Sequence, residues 1–286
     1  MTSLKTYYRL TKPGIVYGNA LTLIGAFLLA CQWHIDFKLF VGTLLGTSLV
    51  IASACTFNNY IDRGIDAKMV RTKKRALAAG HISKSAAMLY ACLLAIAGFR
   101  ILLVYVSDLV ALIGLIAFVD YIVIYGYVKR HSPYGTLVGS VAGAAPPVAG
   151  YAAVTGHLDL GAGIIFLIMV CWQMVHFYAI AIRRSKDYKS AGIPVLPLVK
   201  GERNTKIEMI FYTLAFTLAV VDLSLRGYTG WTFAIVMGST GLYWLYKGLR
   251  SFSVRDNVAW AKGMFLFSLV VVLLLSTMWS LGSILP

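Results

Sequence analysis

Apolar residues fill this chain in long stretches, at roughly 14–32, 39–58, 85–106, 109–128, 135–154, 159–182, 205–225, 230–249 and 258–283, and the charged residues gather between them. Each stretch has about the 20 residues that a helix needs to cross a bilayer. None shows the strict alternation of a membrane barrel strand, and lipid tolerates only helices or closed barrels because it offers the backbone no hydrogen-bond partner. The pattern predicts an all-α polytopic membrane helical bundle with about nine transmembrane helices, residues 1–286 forming one integral-membrane domain.

Composition agrees with that reading. Of the 286 residues, 59% are hydrophobic and only 13% charged, against roughly 25% charged in an ordinary soluble domain. Membrane lipid is therefore the expected surrounding. With the N-terminus placed in the cytoplasm, only Lys38, Arg100 and Arg226 of the 26 Lys and Arg residues fall on the far side. The positive-inside bias sets that orientation and points to a bacterial inner membrane with the chemistry toward the cytoplasmic face. It also accounts for the net charge of +15 without a nucleic-acid partner. Cys31, Cys55, Cys92 and Cys171 are scattered in or beside apolar segments and form no C-x-x-C pair, so packing is their expected role. Leu28, Leu29, Ala30 and Cys31 imitate a lipoprotein signal, but the eight later spans favour a first transmembrane helix.

Two cytoplasmic loops are long and charged, after the second and sixth spans. Four spans separate them, which suggests two halves of like topology. The first begins NNYIDRGID, placing Asn58, Asp62 and Asp66 four apart, so that a helix stacks three oxygen ligands on one face. Ionised carboxylates beside lipid need a partner, and Mg2+ is the expected one. The plainer alternative pairs the acids with Arg63 or Lys68 on a solvated helix end. Arg71, Lys73, Lys74 and Arg75 follow, setting cations beside the acids. The second loop carries Asp187 among Arg183, Arg184, Lys186 and Lys189. Lys12 stands where the first span begins, and serves either as an interfacial lysine reaching to water or as an anion contact.

Acids and cations together at a membrane surface suit a diphosphate held through magnesium: the metal takes carboxylate, amide and phosphate oxygens, and Lys and Arg neutralise the rest. The same groups stabilise the charge that develops on a departing diphosphate. An isoprenoid tail would lie among the helices, where an allylic cation is sheltered from water.

Five segments in order give this reading a family. NNYIDRGIDAKMVRTKKR at 58–75 resembles the first aspartate-rich motif of the intramembrane UbiA-type prenyltransferase superfamily, in the Asn59 form of the branch that farnesylates haem. LTKPGIVYGN at 10–19, KRHSPYGTLVGSVAGAAPPVAGY at 129–151, WQMVHFYAIAI at 172–182 and KDYKSAGIPVLP at 186–197 are similar to further segments of that branch. The resemblance implies a Mg2+-dependent prenyltransferase whose substrates are farnesyl diphosphate and haem b, with a terminal oxidase or later haem-modifying enzymes as possible associates. It implies that Asn58, Asp62, Asp66 and Asp187 match the metal ligands, and makes Asp62, Asp66 and Asp187 the catalytic acids. Lys12, Arg71, Arg75 and Lys186 are the expected diphosphate contacts. Where quinone-type members carry a second acid four positions after the match to Asp187, this chain has Ala191; Gly64 and Ala76 also depart from frequent residues of the branch.

His176 is the expected haem contact, to iron or to a propionate, since imidazole ligates haem iron; its alternative is a hydrogen bond fixing two helices. Gln173, His176, Ile180, Arg183 and Asp187 recur every three or four residues, so a continuous helix would carry them on one face toward the metal. Gly135, Gly139 and Gly143 form GxxxGxxxG ahead of Pro146 and Pro147, a packing motif compatible with a bent cavity wall. Tyr121, Tyr125, Trp172, Phe177 and Tyr178 are expected core or interfacial aromatics, some of them able to shield a carbocation. Two other functions fit the same composition: prenylation of a quinone precursor, and secondary transport, which would set its polar groups near the midplane instead of one surface.

Overall fold

The computed structural model describes residues 4–282 together with 284 and 285. Helices stand at all nine places where the hydropathy pattern puts them, and no strand occurs among the described residues. A short α1 (Leu4–Leu10) precedes α2 (Pro13–Cys31), α3 (Phe37–Asp66) and α4 (Lys84–Tyr105). The fourth span is α5 (Asp108–Val119) continued through a π-helical turn, Asp120–Ile124, into α6 (Tyr125–His131). Then come α7 (Gly135–Thr155), α8 (Leu160–Arg183), two short helices α9 (Ser185–Ser190) and α10 (Leu196–Val199), α11 (Gly201–Leu225), α12 (Trp231–Leu249) and α13 (Asn257–Leu281). Eight of the long helices are long and apolar enough to cross a membrane. The remaining one, α12, spends several positions on Trp, Tyr, Gly and Lys247, which dilute its hydropathy while keeping its length.

Local signals explain where the helices begin. Asp36 accepts from the amides of Lys38 and Leu39, Asp159 from that of Ala162, and Asp256 from those of Val258 and Ala259. Ser83 and Ser107 do the same for α4 and α5. Each satisfies amides that a helix start leaves without a partner. Pro13 opens α2, where a missing N–H costs nothing.

α8 sits at the centre of one half of the bundle. Ile165, Ile168, Met174, Val175, Tyr178 and Ile182 are fully buried against α7, α11 and α13. The outward faces of α4 and α13 instead expose Leu89, Leu93, Ile96, Val270 and Leu273, as a lipid-facing surface requires. α13 packs on α2 as well as on α8, so the last helix closes the bundle against the first span.

Candidate active site at the charged end of the bundle

A cavity of about 670 Å3 opens between α2, α3, α5, α7, α8 and α13, within the usual range for a small-molecule site. Its interior is apolar, with Val50, Phe118, Ala149, Met169 and Leu269 among its walls, and its charged groups collect at one end. Lys12, Asn58, Asp62, Asp66, Arg71, Arg75 and His176 all line it. The sequence-predicted groups of α2, α3, the first loop and α8 are thus brought to one space.

The acid row owes its register to the length of α3, which runs eight residues past the predicted end of its apolar stretch, so Asn58, Asp62 and Asp66 stay on one helical face. All three are buried, Asp66 to 2% exposure. Their partners are neither Arg63 nor Lys68. Arg75 donates through Nη1 to both oxygens of Asp66 at 2.9 Å. Lys129 Nζ donates to Asp62 Oδ2, and Arg130 Nη2 to its Oδ1 at 3.1 Å. Lys12 Nζ donates to Asn58 Oδ1 at 2.7 Å, leaving Asn58 Nδ2 buried and unpaired. Lys12 itself holds a left-handed backbone, φ 52° and ψ 65°, where α1 turns into α2. Burial is the main cause that lowers its ammonium from the usual 10.5 to about 8.

Cations outnumber these carboxylates, because Arg71, Arg183 and Arg184 also line the space. The end of the cavity therefore attracts an anion, and the unpaired Asn58 amide is a donor such an anion would satisfy. Asn58, Asp62 and Asp66 offer only hard oxygens, a set that suits magnesium. Among the described residues no three His, Cys, Asp or Glu side chains group to hold a metal unaided, so its other oxygens would come from diphosphate and water.

Lys129 and Arg130 are not among the site residues that the sequence singles out; they stand only in the basic bias and at the head of the 129–151 segment. Their position on the fourth span, one turn after Tyr125, was the available clue. Gly135 brings Lys129 in: a Cβ there would stand 2.6 Å from the Lys129 Cα, so α6 and α7 touch through backbone. Gly139 likewise seats the ring of Tyr125, which stacks on Tyr121 at 5.5 Å. Asn59 ties the first turns together, donating to the Leu10 carbonyl at 2.7 Å and receiving Arg75 at 3.4 Å.

The second loop is built differently. The expected continuous helix from Gln173 to Asp187 is corrected: α8 ends at Arg183, Arg184 leaves helical geometry with φ −112° and ψ 21°, and Asp187 belongs to the separate α9. Arg183, Arg184 and Tyr188 line the cavity; Asp187 and Lys186 do not, and the Asp187 carboxylate makes no hydrogen bond or ion pair among the described residues. α9 is nonetheless near the first loop, Ser190 Oγ donating to the Lys68 carbonyl at 3.3 Å.

Deeper on α8, Gln173 donates to the carbonyls of Ser140 and Met169, each at 3.1 Å, locking α8 to α7. His176 stacks on Trp172 and bonds Ser268 of α13 through Nδ1 at 2.7 Å. It thus touches both a neighbouring helix and the cavity.

Comparison with known proteins places this geometry. Residues 19–270 match the UbiA prenyltransferase family. Protoheme IX farnesyltransferase of Klebsiella pneumoniae is 51% identical over 283 residues, 99% of this chain and 96% of that protein, and the Escherichia coli K12 protein of the same name is 50% identical with the same coverage. Among solved structures, one of digeranylgeranylglyceryl phosphate synthase superposes with a TM-score of 0.82 at 18% identity, covering 99% of both chains. A UbiA homologue from Archaeoglobus fulgidus bound to DMAPP and Mg2+ superposes with a TM-score of 0.70 at 16% identity, covering 96% of this chain and 99% of that one. These likenesses carry the fold; the family model and the identity of the relatives carry the kinship, and the chain belongs to the UbiA prenyltransferase family.

Proposed function

We propose that this chain is a protoheme IX farnesyltransferase, moving the farnesyl group of farnesyl diphosphate onto a vinyl group of haem b. The observation that carries the reading is one cavity with acids and an excess of cations at its charged end, an apolar interior, and an imidazole on its wall. A prenyl diphosphate matches the first two, and haem the third.

Asn58, Asp62 and Asp66 are the residues that would hold magnesium, which when bound supplies Lewis-acid stabilisation of the leaving diphosphate. Lys12, Arg71, Arg75 and Lys129 hold the diphosphate oxygens and orient the donor so that its tail enters the apolar interior. Cleavage of the allylic carbon–oxygen bond sends the electron pair to diphosphate. The cavity-lining rings of Tyr121 and Tyr125 and the aliphatic wall keep water from the cation that remains. The vinyl π electrons then form the new carbon–carbon bond, and a water captures the resulting cation and loses a proton, giving the hydroxyethylfarnesyl group of haem O. Asp187, one residue from the cavity-lining Tyr188 on a six-residue helix, would complete the set that holds the metal, and Lys186 would add to the diphosphate contacts. The membrane is the bacterial inner one, with the N-terminus and the charged end cytoplasmic; a terminal oxidase is the expected consumer of the product.

Purified protein given haem b, farnesyl diphosphate and magnesium should release diphosphate and yield a farnesylated, hydrated haem by mass spectrometry. Prenylation of a quinone precursor in place of haem, or substrate flux into vesicles without product, would overturn the reading.

A further inference from the structure

Ser268 on α13 faces His176 in a way that settles the proton of the imidazole. Its Oγ lies 2.6 Å from the Phe265 carbonyl oxygen and 2.7 Å from His176 Nδ1. A carbonyl oxygen only accepts, so the single hydroxyl proton of Ser268 is committed to Phe265, and the serine oxygen meets the imidazole as an acceptor. Nδ1 must then carry the ring proton. In a neutral imidazole that leaves Nε2 with a bare lone pair. Nε2 makes no hydrogen bond within the described protein, and the residue lines the cavity.

The ring is also clamped. Trp172 stacks on it with centroids 4.9 Å apart and planes at 22°, Phe265 lies 5.0 Å away, and Phe177 packs edge-on at 5.1 Å. The backbone carbonyl of Ser268 accepts from Trp172 Nε1 at 2.8 Å. One residue of α13 therefore orients both members of the stack, through its hydroxyl and its carbonyl.

We propose that Ser268 is a positioning residue for the haem substrate: it fixes His176 in the Nδ1–H form and presents Nε2 to the substrate's iron. The proposal rests on the reading of His176 as the haem contact. Its physical basis is that a metal-ligating imidazole is oriented, and its tautomer set, by whatever its other nitrogen bonds; loss of such a partner typically weakens metal binding about 10–100-fold.

The test uses the full chain in lipid nanodiscs. In 15N-histidine-labelled protein, with the signal assigned by loss in His176→Gln, His176 should show a protonated Nδ1 and a bare Nε2; Ser268→Ala should abolish that preference. Titration with ferric haem b should give about 10–100-fold weaker binding and an altered Soret band in Ser268→Ala, both restored in Ser268→Thr, while farnesyl diphosphate binding stays unchanged in both Ser268 variants. A wild-type His176 protonated on Nε2, or a Ser268→Ala protein with native haem affinity and spectrum, would overturn the proposal. If His176→Ala leaves the Soret band untouched, the haem-contact reading itself fails, a result distinct from the tautomer measurement.

Discussion

The two charged loops carry similar residues, yet their acids live in different surroundings. Asp62 and Asp66 are buried and held by Lys129, Arg130 and Arg75, whereas Asp187 lies outside the cavity lining and its carboxylate has no hydrogen-bond or ion-pair partner among the described residues. The cause is backbone continuity. α3 stays helical through Asp66, so its row keeps register, while α8 stops at Arg183 and hands its acid to a separate short helix. The lesson is that spacing alone does not build a ligand set; an unbroken helix must carry it.

Four experiments break or sharpen that contrast. The largest effect should come from Asp62→Asn and Asp66→Asn: loss of roughly 10²–10³-fold in turnover by diphosphate release, comparable to removing a charge-stabilising group from a transition state, with chelation of divalent ions equally severe. Next, Lys129→Met leaves Asp62 with Arg130 as its remaining partner, so the loss of stability should stay below the about 3–5 kcal/mol of a fully orphaned buried charge; thermal unfolding should fall and the Michaelis constant for the prenyl donor rise. Asp187→Asn should cost about tenfold, corresponding to roughly 1.4 kcal/mol, and act through the donor's Michaelis constant with little change in turnover number. Equal losses at Asp187 and Asp62 would erase the contrast. Smallest is Gly135→Ala, whose new methyl meets the Lys129 backbone; overpacking of about 1–3 kcal/mol should appear as a lowered melting temperature with a several-fold loss of activity.

Much of this was legible in the sequence, because hydropathy and the i, i+4 rule act locally. All nine helices stand where the apolar stretches are, and the Asn58, Asp62, Asp66 row faces one side as its spacing required. What the chain concealed is tertiary. Lys129 and Arg130 look like any basic pair at the end of a membrane-spanning helix, and only the approach of α6 to α3 makes them the counter-ions of Asp62. Gly135, read as a packing residue, turns out to seat the backbone of Lys129 itself. Asp187 failed to follow its helical spacing because no local signal marks Arg184 as the break. Ser268 lies 92 positions from His176, and nothing in its neighbourhood of apolar residues announces the pairing.

The built-in counter-ions of Asp62 and Asp66 also bear on how the protein is made. Once α6 and the first loop have packed on α3, the folded chain neutralises both acids with its own side chains, so neither carboxylate is buried as an unpaired charge.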